Sequence, residues 1–215
     1  ISVCVAQFAV DDLAKLTGVY YKKYNLDTKK FYHFVTHKTF FEKHWQFHNS
    51  YIIYHVNPYT ILDQNEQEVF SKNINWKPWI DKYGNPGLST NVFDVYGEKF
   101  LLYHSYVYLG QTTMRYFVGL MKLNNDLTPF GYATNPFLVS DKDHSSHYVL
   151  NSLWNWRNTK HRNAIKYEVI FPMNVVADEK MIHIYGGLND CSAVKMSFEK
   201  IVFHEKVKNQ PFIVY

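Results

Sequence analysis

The amino-acid sequence predicts an all-β chain that forms a β-propeller or part of one. Aromatic residues are unusually frequent, because 16 Phe, 18 Tyr and 5 Trp occur among 215 residues, and aromatic side chains favour the pleated surface of a sheet. An apolar triplet that ends in Tyr also recurs along the chain. Two of its copies are offset by 49 residues, which lies in the range of one four-stranded propeller blade.

The repeated triplet predicts the inner strand of each blade. Its copies lie at residues 52–55, 101–104 and 182–186. We expect Tyr54, Tyr103 and Tyr185 to occupy equivalent positions around one shared axis. A further strand is predicted after each copy, at residues 59–62, 116–123 and 193–202, where apolar residues recur at about every second position.

Turn signals divide these strands into hairpins. Tight turns are predicted at residues 94–98 and 177–180, and residues 25–28 join two earlier strands at 18–24 and 31–36. Helix is expected only around residues 11–16 and within residues 140–166, a polar stretch that we interpret as an insertion. Residues 1–215 thus form a single propeller domain or the C-terminal part of one, with three blades and the end of a fourth.

Composition and charge exclude some classes of protein. The formal net charge of +4 comes from scattered residues, which argues against nucleic acid as a partner. No apolar run approaches the roughly 20 residues that span a bilayer. Cys4 and Cys191 permit at most one disulfide. The lack of such an apolar run predicts a soluble protein. The absence of an Asn-x-Ser/Thr site favours the cytoplasm, although the compartment stays open.

One segment places polar and aromatic groups directly before the first triplet. Lys43, His44 and Trp45 supply a cation, an imidazole and a large ring, and Asn57 follows the strand. In a propeller, loops that enter the innermost strands converge on the axis, where such groups can line a common pocket. The alternative is structural, with Trp45 packed between blades and Lys43 in solvent.

Several short motifs occur in an order that resembles a known group of proteins. They lie at residues 42–45, 57–58, 79–84, 87–90, 101–105, 129–130, 171–174 and 185–191. The chain resembles the β-mannoside phosphorylase and mannosidase superfamily, which includes β-1,2-mannosyltransferases and uncharacterised glycosyltransferase-associated domains. The most specific motif is the last, which ends in Asp190 and Cys191. The resemblance covers most of the chain.

This resemblance implies a five-bladed propeller that acts on β-mannoside glycans by glycosyl transfer, phosphorolysis or hydrolysis. It places Lys43 and His104 at phosphate, and it places Asp190 at sugar hydroxyls. Ring faces for a pyranose would come from Trp45, Tyr103 and Tyr185. Inorganic phosphate or a sugar nucleotide would be a co-substrate, and no cofactor is expected.

The resemblance leaves the catalytic residue unknown. The acid of the family belongs to the first blades, which we expect upstream of Ile1, and Asp190 and Glu168 are the remaining carboxylate candidates. Glycosyl transfer needs an acid for the leaving oxygen, so the chain is expected either to be an enzyme completed by an upstream segment or another chain, or to be a non-catalytic glycan-binding or assembly module.

Other constellations carry weaker signals. His144 and His147 beside Asp143 have a spacing that could bind a metal, but a solvated loop without metal is the preferred interpretation. A basic cluster at residues 157–162 fits either an anionic ligand or an exposed loop. No Gly-x-Ser-x-Gly elbow or Cys-His arrangement is present, which disfavours hydrolysis by an activated Ser or Cys.

Overall fold

A computed structural model describes residues 2–10, 16–25, 30–37, 45–109, 113–139, 166–168, 170–188 and 192–215. Side chains are described within residues 45–108, 115–139, 170–188 and 193–215, and only the backbone course is described elsewhere in these ranges. The described residues form β-sheets with two short helices between strands. The predicted all-β class is therefore confirmed.

The strands follow one another along most of the described chain. The first seven are β1 (Ser2–Val10), β2 (Leu16–Asn25), β3 (Lys30–His37), β4 (Gln46–His48), β5 (Tyr51–Val56), β6 (Tyr59–Leu62) and β7 (Glu68–Lys72). Helix α1 (Lys77–Tyr83) precedes β8 (Gly87–Leu88), β9 (Phe93–Val95), β10 (Glu98–Leu109), β11 (Thr113–Leu123), β12 (Pro129–Ala133), β13 (Leu138–Val139) and β14 (Lys166–Glu168). The remaining elements are β15 (Ile170–Ala177), β16 (Met181–Leu188), β17 (Ser192–Glu199), helix α2 (Lys200–Lys208) and β18 (Phe212–Val214).

These strands make four sheets, numbered here in chain order. Sheet 1 contains β1–β3, and sheet 2 contains β4–β7 in sequential order. Sheet 3 is built on the order β8-β10-β11-β12-β18, with β9, β13 and β14 attached to it, and sheet 4 contains β15–β17. The pairings are antiparallel except between β11 and β14. Strand β18 returns to sheet 3 after sheet 4 is complete.

The predicted hairpins occur where the turn signals place them. Tyr96 and Gly97 join β9 to β10 with φ of 53° and 80°, the left-handed conformations that a two-residue hairpin turn requires. The Gly97 amide also donates to Asp94 Oδ1 at 2.9 Å. Residues 178–180 likewise join β15 to β16. Asn25 pairs with Lys30 at the ends of β2 and β3, and the rest of the turn predicted at residues 25–28 lies outside the described residues.

Both helices differ from the sequence prediction. Helix α1 begins with Pro78 in its first turn and ends at Gly84, whose φ is +84°; this combination of an early Pro and a terminal Gly is a helix signal. Gly84 also contacts β10 so closely that a Cβ there would lie 2.0 Å from the Tyr106 carbonyl oxygen. The strand predicted over residues 193–202 is wrong from Lys200 onward, where α2 begins. Leu16, expected to end a helix, begins β2.

Two hydrophobic clusters hold sheet 3 between its neighbours. One cluster joins sheet 2 to sheet 3 through residues that include Ile53, Leu101 and Tyr103. The other joins sheet 3 to sheet 4 and α2 through residues that include Leu102 and Ile184. Because side chains alternate along a strand, neighbouring residues of β10 serve different clusters. Burial of each aliphatic side chain stabilises the folded state by about 1.5–3 kcal/mol.

The three repeated tyrosines share a strand position but not a sheet face. Strands β5, β10 and β16 are each second from one end of their sheet. Tyr54 lies on the face of sheet 2 that points away from sheet 3, and Tyr103 lies on the face of sheet 3 that points toward sheet 2. In sheet 4 the corresponding face carries Ile184, whereas Tyr185 points away from sheet 3. The expected equivalence therefore fails for Tyr185, because His183 shifts the third repeat by one residue.

Some sequence predictions lie outside the described residues. The proposed insertion at 140–166 does so except for Lys166 in β14, and the possible metal and anion clusters at 141–162 fall within it. That residues 1–215 form a single domain stays a prediction. No described helix has both the length and the apolar character that crossing a membrane would require.

Candidate functional site

The candidate site is built around two adjacent residues of β10, Tyr103 and His104. Their side chains project to opposite faces of sheet 3. Tyr103 is fully buried among the side chains shared with sheet 2, whereas His104 is half-buried on the face toward sheet 4. The two residues therefore have different chemical roles, although the sequence pattern names them together.

The Tyr103 side is a closed aromatic box. The Tyr103 ring lies edge-on to Trp76 and Trp79, with centroid distances of 5.0 and 4.9 Å. Gly119 pairs with Tyr103 across β11, and a Cβ at Gly119 would lie 2.1 Å from the phenol carbon Cζ. Burial raises the pKa of Tyr103 well above the ordinary tyrosine value, so the phenol stays neutral and inert.

The His104 side contains a hydrogen-bonded imidazole. Ser89 Oγ lies 2.8 Å from His104 Nδ1, and Ser89 is itself buried. The Gln46 side-chain amide donates to the Ser89 carbonyl oxygen at 2.9 Å, which ties β4 to this position. The ring lies over Gly87, where a Cβ would approach His104 Cε1 to 2.7 Å. The absence of a side chain at Gly87 thus makes room for the imidazole.

Aromatic rings continue from His104 toward solvent. Phe171 from β15 packs against the imidazole with a centroid distance of 4.6 Å, and Tyr116 from β11 lies nearly parallel to it at 6.2 Å. Tyr106 stacks on Tyr116 at 5.3 Å and is 41% exposed. We call His104, Tyr106, Tyr116 and Phe171 the aromatic patch. It combines flat ring faces with an imidazole and a nearby hydroxyl.

The segment between β8 and β9 links sheet 3 to sheet 4 beside the aromatic patch. The Thr90 hydroxyl accepts the Leu102 amide at 3.0 Å. The Asn91 side chain then bonds both backbone groups of Val175 in β15, donating at 2.9 Å and accepting at 2.8 Å. Because these polar groups are partly buried, each hydrogen bond stabilises the folded state by about 1 kcal/mol. This two-point contact sets the separation between β10 and β15, and so between His104 and Phe171.

The predicted site residues divide into three groups. Lys43, His44 and Asp190 lie outside the described residues, as does the side chain of Glu168. Trp45 and Tyr103 are buried, and Trp45 packs edge-on to Tyr54 at 4.9 Å.

Asn57, Tyr185 and His104 make up the rest. Asn57 is exposed, and Tyr185 is 39% exposed with Lys195 Nζ 5.7 Å from its ring centroid. The Tyr185 side chain points away from sheet 3, whereas His104 lies on the face of sheet 3 that is turned toward sheet 4. Of the five predicted residues that the structure describes, His104 is the one that lies in the aromatic patch.

The partners of His104 are not among the site residues predicted from the sequence. Tyr106 and Tyr116 are directly paired across β10 and β11, and period-two alternation places them on the face of His104. Phe171 comes from sheet 4, and only the tertiary packing brings it to the imidazole. Within the described part of the chain, no group of three His, Cys, Asp or Glu side chains could hold a metal ion.

Comparison with known proteins supports a likeness of fold. No family model and no curated protein matches the sequence. The structure is similar to that of β-1,2-mannobiose phosphorylase from Listeria innocua in complex with β-1,2-mannobiose, with a TM-score of 0.60 and 14% identity. The match covers 96% of this chain and 57% of that chain, so the chain spans little more than half the length of the phosphorylase.

A second solved structure, a candidate glycoside hydrolase from Parabacteroides distasonis, aligns with a TM-score of 0.38 and 12% identity. That match covers 89% of this chain and 66% of the hydrolase chain. The described fold is thus of the kind found in the Listeria phosphorylase.

Proposed function

We propose that this chain is a carbohydrate-active protein of the glycoside phosphorylase and hydrolase kind, and that the aromatic patch binds the sugar. The single observation that carries this proposal is the placement of Phe171, Tyr116 and a Ser89-bonded His104 on one partly open surface. Ring faces pack against the apolar faces of pyranoses. The imidazole of His104, which the buried Ser89 hydroxyl holds in place, supplies a polar contact that orients a sugar.

The substrate we propose is a β-mannoside, and the reaction is phosphorolysis or glycosyl transfer. The fold likeness to a mannobiose phosphorylase supports this choice, as does the order of sequence motifs. In this proposal His104 lies beside the phosphate together with Lys43, and Asp190 contacts sugar hydroxyls. Inorganic phosphate or a sugar nucleotide is the co-substrate.

We further propose that the four sheets are blades of a propeller that an upstream segment or another chain completes. Sheets 2, 3 and 4 follow one another in space as in sequence, as blades do. The outward face of sheet 4 carries the exposed side chains of Val176 and Tyr185. Light scattering on the protein extended upstream will show whether a single polypeptide supplies the remaining blades.

Binding is the first test of the proposed site. Calorimetry with β-1,2-mannobiose should show binding whose affinity falls when His104→Ala or Phe171→Ala removes one side of the patch. A single sugar-stacking ring contributes about 1 kcal/mol, or several-fold in affinity. Tyr51→Ala is the matched control, because Tyr51 is 43% exposed, much like Tyr106, but lies on β5. Equal loss of affinity in all three variants would exclude the patch as the binding surface.

A product assay separates catalysis from binding. Protein extended upstream should release mannose 1-phosphate from mannobiose and phosphate, and the double variant His104→Ala with Asp190→Ala should abolish release. Full turnover by that variant would rule out the pocket assignment.

The second candidate function is a non-catalytic glycan-binding module. It is favoured by one feature of the aromatic patch, which is that none of its four members is a carboxylate that could protonate a leaving oxygen. This function predicts heat of binding from mannose oligomers without any product.

A further inference from the structure

The outward face of sheet 4 carries a serine, a histidine and an aspartate in hydrogen-bonding contact. Ser197 Oγ lies 2.8 Å from His183 Nδ1, and His183 Nε2 lies 3.3 Å from Asp178 Oδ2. Ser197 is directly opposite His183 across β16 and β17. Ser197, His183 and Asp178 are all different residues from those of the aromatic patch.

The turn between β15 and β16 fixes the aspartate of this cluster. Asp178 Oδ1 accepts the backbone amides of Lys180 and Met181 at 2.8 and 2.7 Å. These two hydrogen bonds, of which the one from Met181 has the larger effect, hold the pKa of the Asp178 carboxyl below its ordinary value. Oδ1 is thereby occupied, and Oδ2 is oriented toward the imidazole.

The carboxylate determines which nitrogen of His183 carries the proton. A carboxylate only accepts hydrogen bonds, so Nε2–H of the neutral ring donates to Asp178. Nδ1 is then the basic nitrogen, and it faces the Ser197 hydroxyl. A hydroxyl, a base within hydrogen-bond reach and a third group that orients the base are the elements of an activated nucleophile.

We propose that Ser197 is an activated nucleophile that accepts acyl groups from small carboxylic esters. Ser197 Oγ attacks the ester carbonyl carbon as its proton passes to His183 Nδ1. The bond to the alkoxy oxygen then breaks, and the departing alcohol takes the proton from His183. Water hydrolyses the resulting acyl-serine by the same proton transfers in reverse order, which releases the carboxylic acid and restores Ser197.

The surroundings of Ser197 suit this reaction. Ser197 is exposed, so an ester in solvent can reach it. Lys195 is two positions away on β17, which places it on the same face at roughly 7 Å along the strand. Its ammonium group lies over the Tyr185 ring, with Nζ 5.7 Å from the ring centroid, and adds positive charge to the face on which the oxyanion forms.

Two serines of the same chain serve as internal controls. Ser89 Oγ makes a 2.8 Å contact with His104 Nδ1, but Ser89 is 2% exposed and so closed to reagents. Ser71 is exposed, and its hydroxyl lies 3.4 Å from the Thr60 hydroxyl.

The test uses a fluorophosphonate probe on the full chain, with peptide mass spectrometry as the readout. Ser197 displaces fluoride from phosphorus and gives its proton to His183, which leaves a stable phosphonyl ester. We expect Ser197 to be labelled about a hundredfold faster than Ser71. The wild-type protein should also release p-nitrophenol from p-nitrophenyl acetate, and Ser197→Ala should not. Equal labelling of Ser197 and Ser71 would overturn the proposal.

Asp178→Asn separates activation from a structural role. The asparagine Oδ1 still accepts both turn amides, so the hairpin and the thermal midpoint are retained. Its Nδ2 donates rather than accepts, which forces the proton of His183 onto Nδ1 and removes the base that faces Ser197. Labelling should fall about a hundredfold. An unchanged labelling rate in this folded variant would show that the three groups form only a cross-strand contact.

Discussion

The two faces of sheet 3 meet at adjacent residues and differ in what covers them. On one face Tyr103 is enclosed by Trp76 and Trp79 and contacts no solvent. On the other, His104 contacts Phe171 and leads outward to the exposed ring of Tyr106. Both faces are rich in aromatic rings. Aromatic content alone therefore does not distinguish a core from an open surface. The two faces differ because α1 packs over one of them.

Removing the cover on the closed face should have the largest effect. Trp79 is fully buried, and its indole N–H donates to Ser105 Oγ at 3.0 Å. Trp79→Ala should lower the free energy of unfolding by about 3–5 kcal/mol, as measured by urea denaturation. Phe171→Ala on the open face should cost clearly less, because its ring is only partly buried. Equal costs would mean that the two faces are equally structural.

Two glycines allow a matched comparison of the faces. A Cβ at Gly119 would lie 2.1 Å from the Tyr103 ring, and a Cβ at Gly87 would lie 2.7 Å from the imidazole of His104. Tyr103 is held by its neighbours, so Gly119→Ala should lower the free energy of unfolding by about 1–3 kcal/mol. His104 borders the open surface and can move aside. Gly87→Ala should therefore lower the free energy of unfolding by less than Gly119→Ala does, although it displaces the imidazole.

The readouts for this pair are urea denaturation and sugar calorimetry. For a given loss of unfolding free energy, we expect Gly87→Ala to lower the affinity for mannobiose more than Gly119→Ala does. The reverse order would place the binding surface on the Tyr103 side.

Lowering the pH should destabilise the closed face of sheet 3, but by a smaller free energy than the substitutions above. Burial on β4, with a contribution from the charge of Lys99 on β10, lowers the pKa of His48 below its ordinary value. The folded state therefore binds fewer protons there than the unfolded state. The contribution is complete above about pH 6.5, and stability declines as the pH falls through that value toward the lower folded pKa.

His48→Gln removes this titration. Urea midpoints measured at about pH 7.5 and about pH 5.5 should differ less in the variant than in the wild-type protein. An identical pH dependence in both proteins would contradict a lowered His48 pKa in the folded state.

The strands were the most predictable part of this chain. The apolar triplet at residues 52–55 and the apolar alternation in residues 116–123 are set by the sequence itself, and Tyr96-Gly97 dictates a tight turn. Helix α1 was missed, although Pro78 and Gly84 mark its ends. The strand predicted to Val202 ran past Glu199, because apolar residues in the first turn of α2 extend the alternation.

The candidate site was less predictable. His104 was identified from its strand, but the burial of Tyr103 depends on Trp76 and Trp79, which arrive from a separate helix. Phe171 is 67 residues from His104 in sequence, and local patterns carry no record of such contacts. The slip of Tyr185 to the outward face follows from one extra residue, since a shift of one reverses every side chain of a strand.

The return of β18 to sheet 3 bears on how the molecule is made. Phe212–Val214 pairs with Gly131–Ala133, about 80 residues earlier. A ribosome therefore releases β12 with one edge unpaired and exposes it until sheet 4 and α2 have been synthesised. Such an edge can template association with other chains. Nascent protein that pauses before residue 212 should be the form most in need of a chaperone.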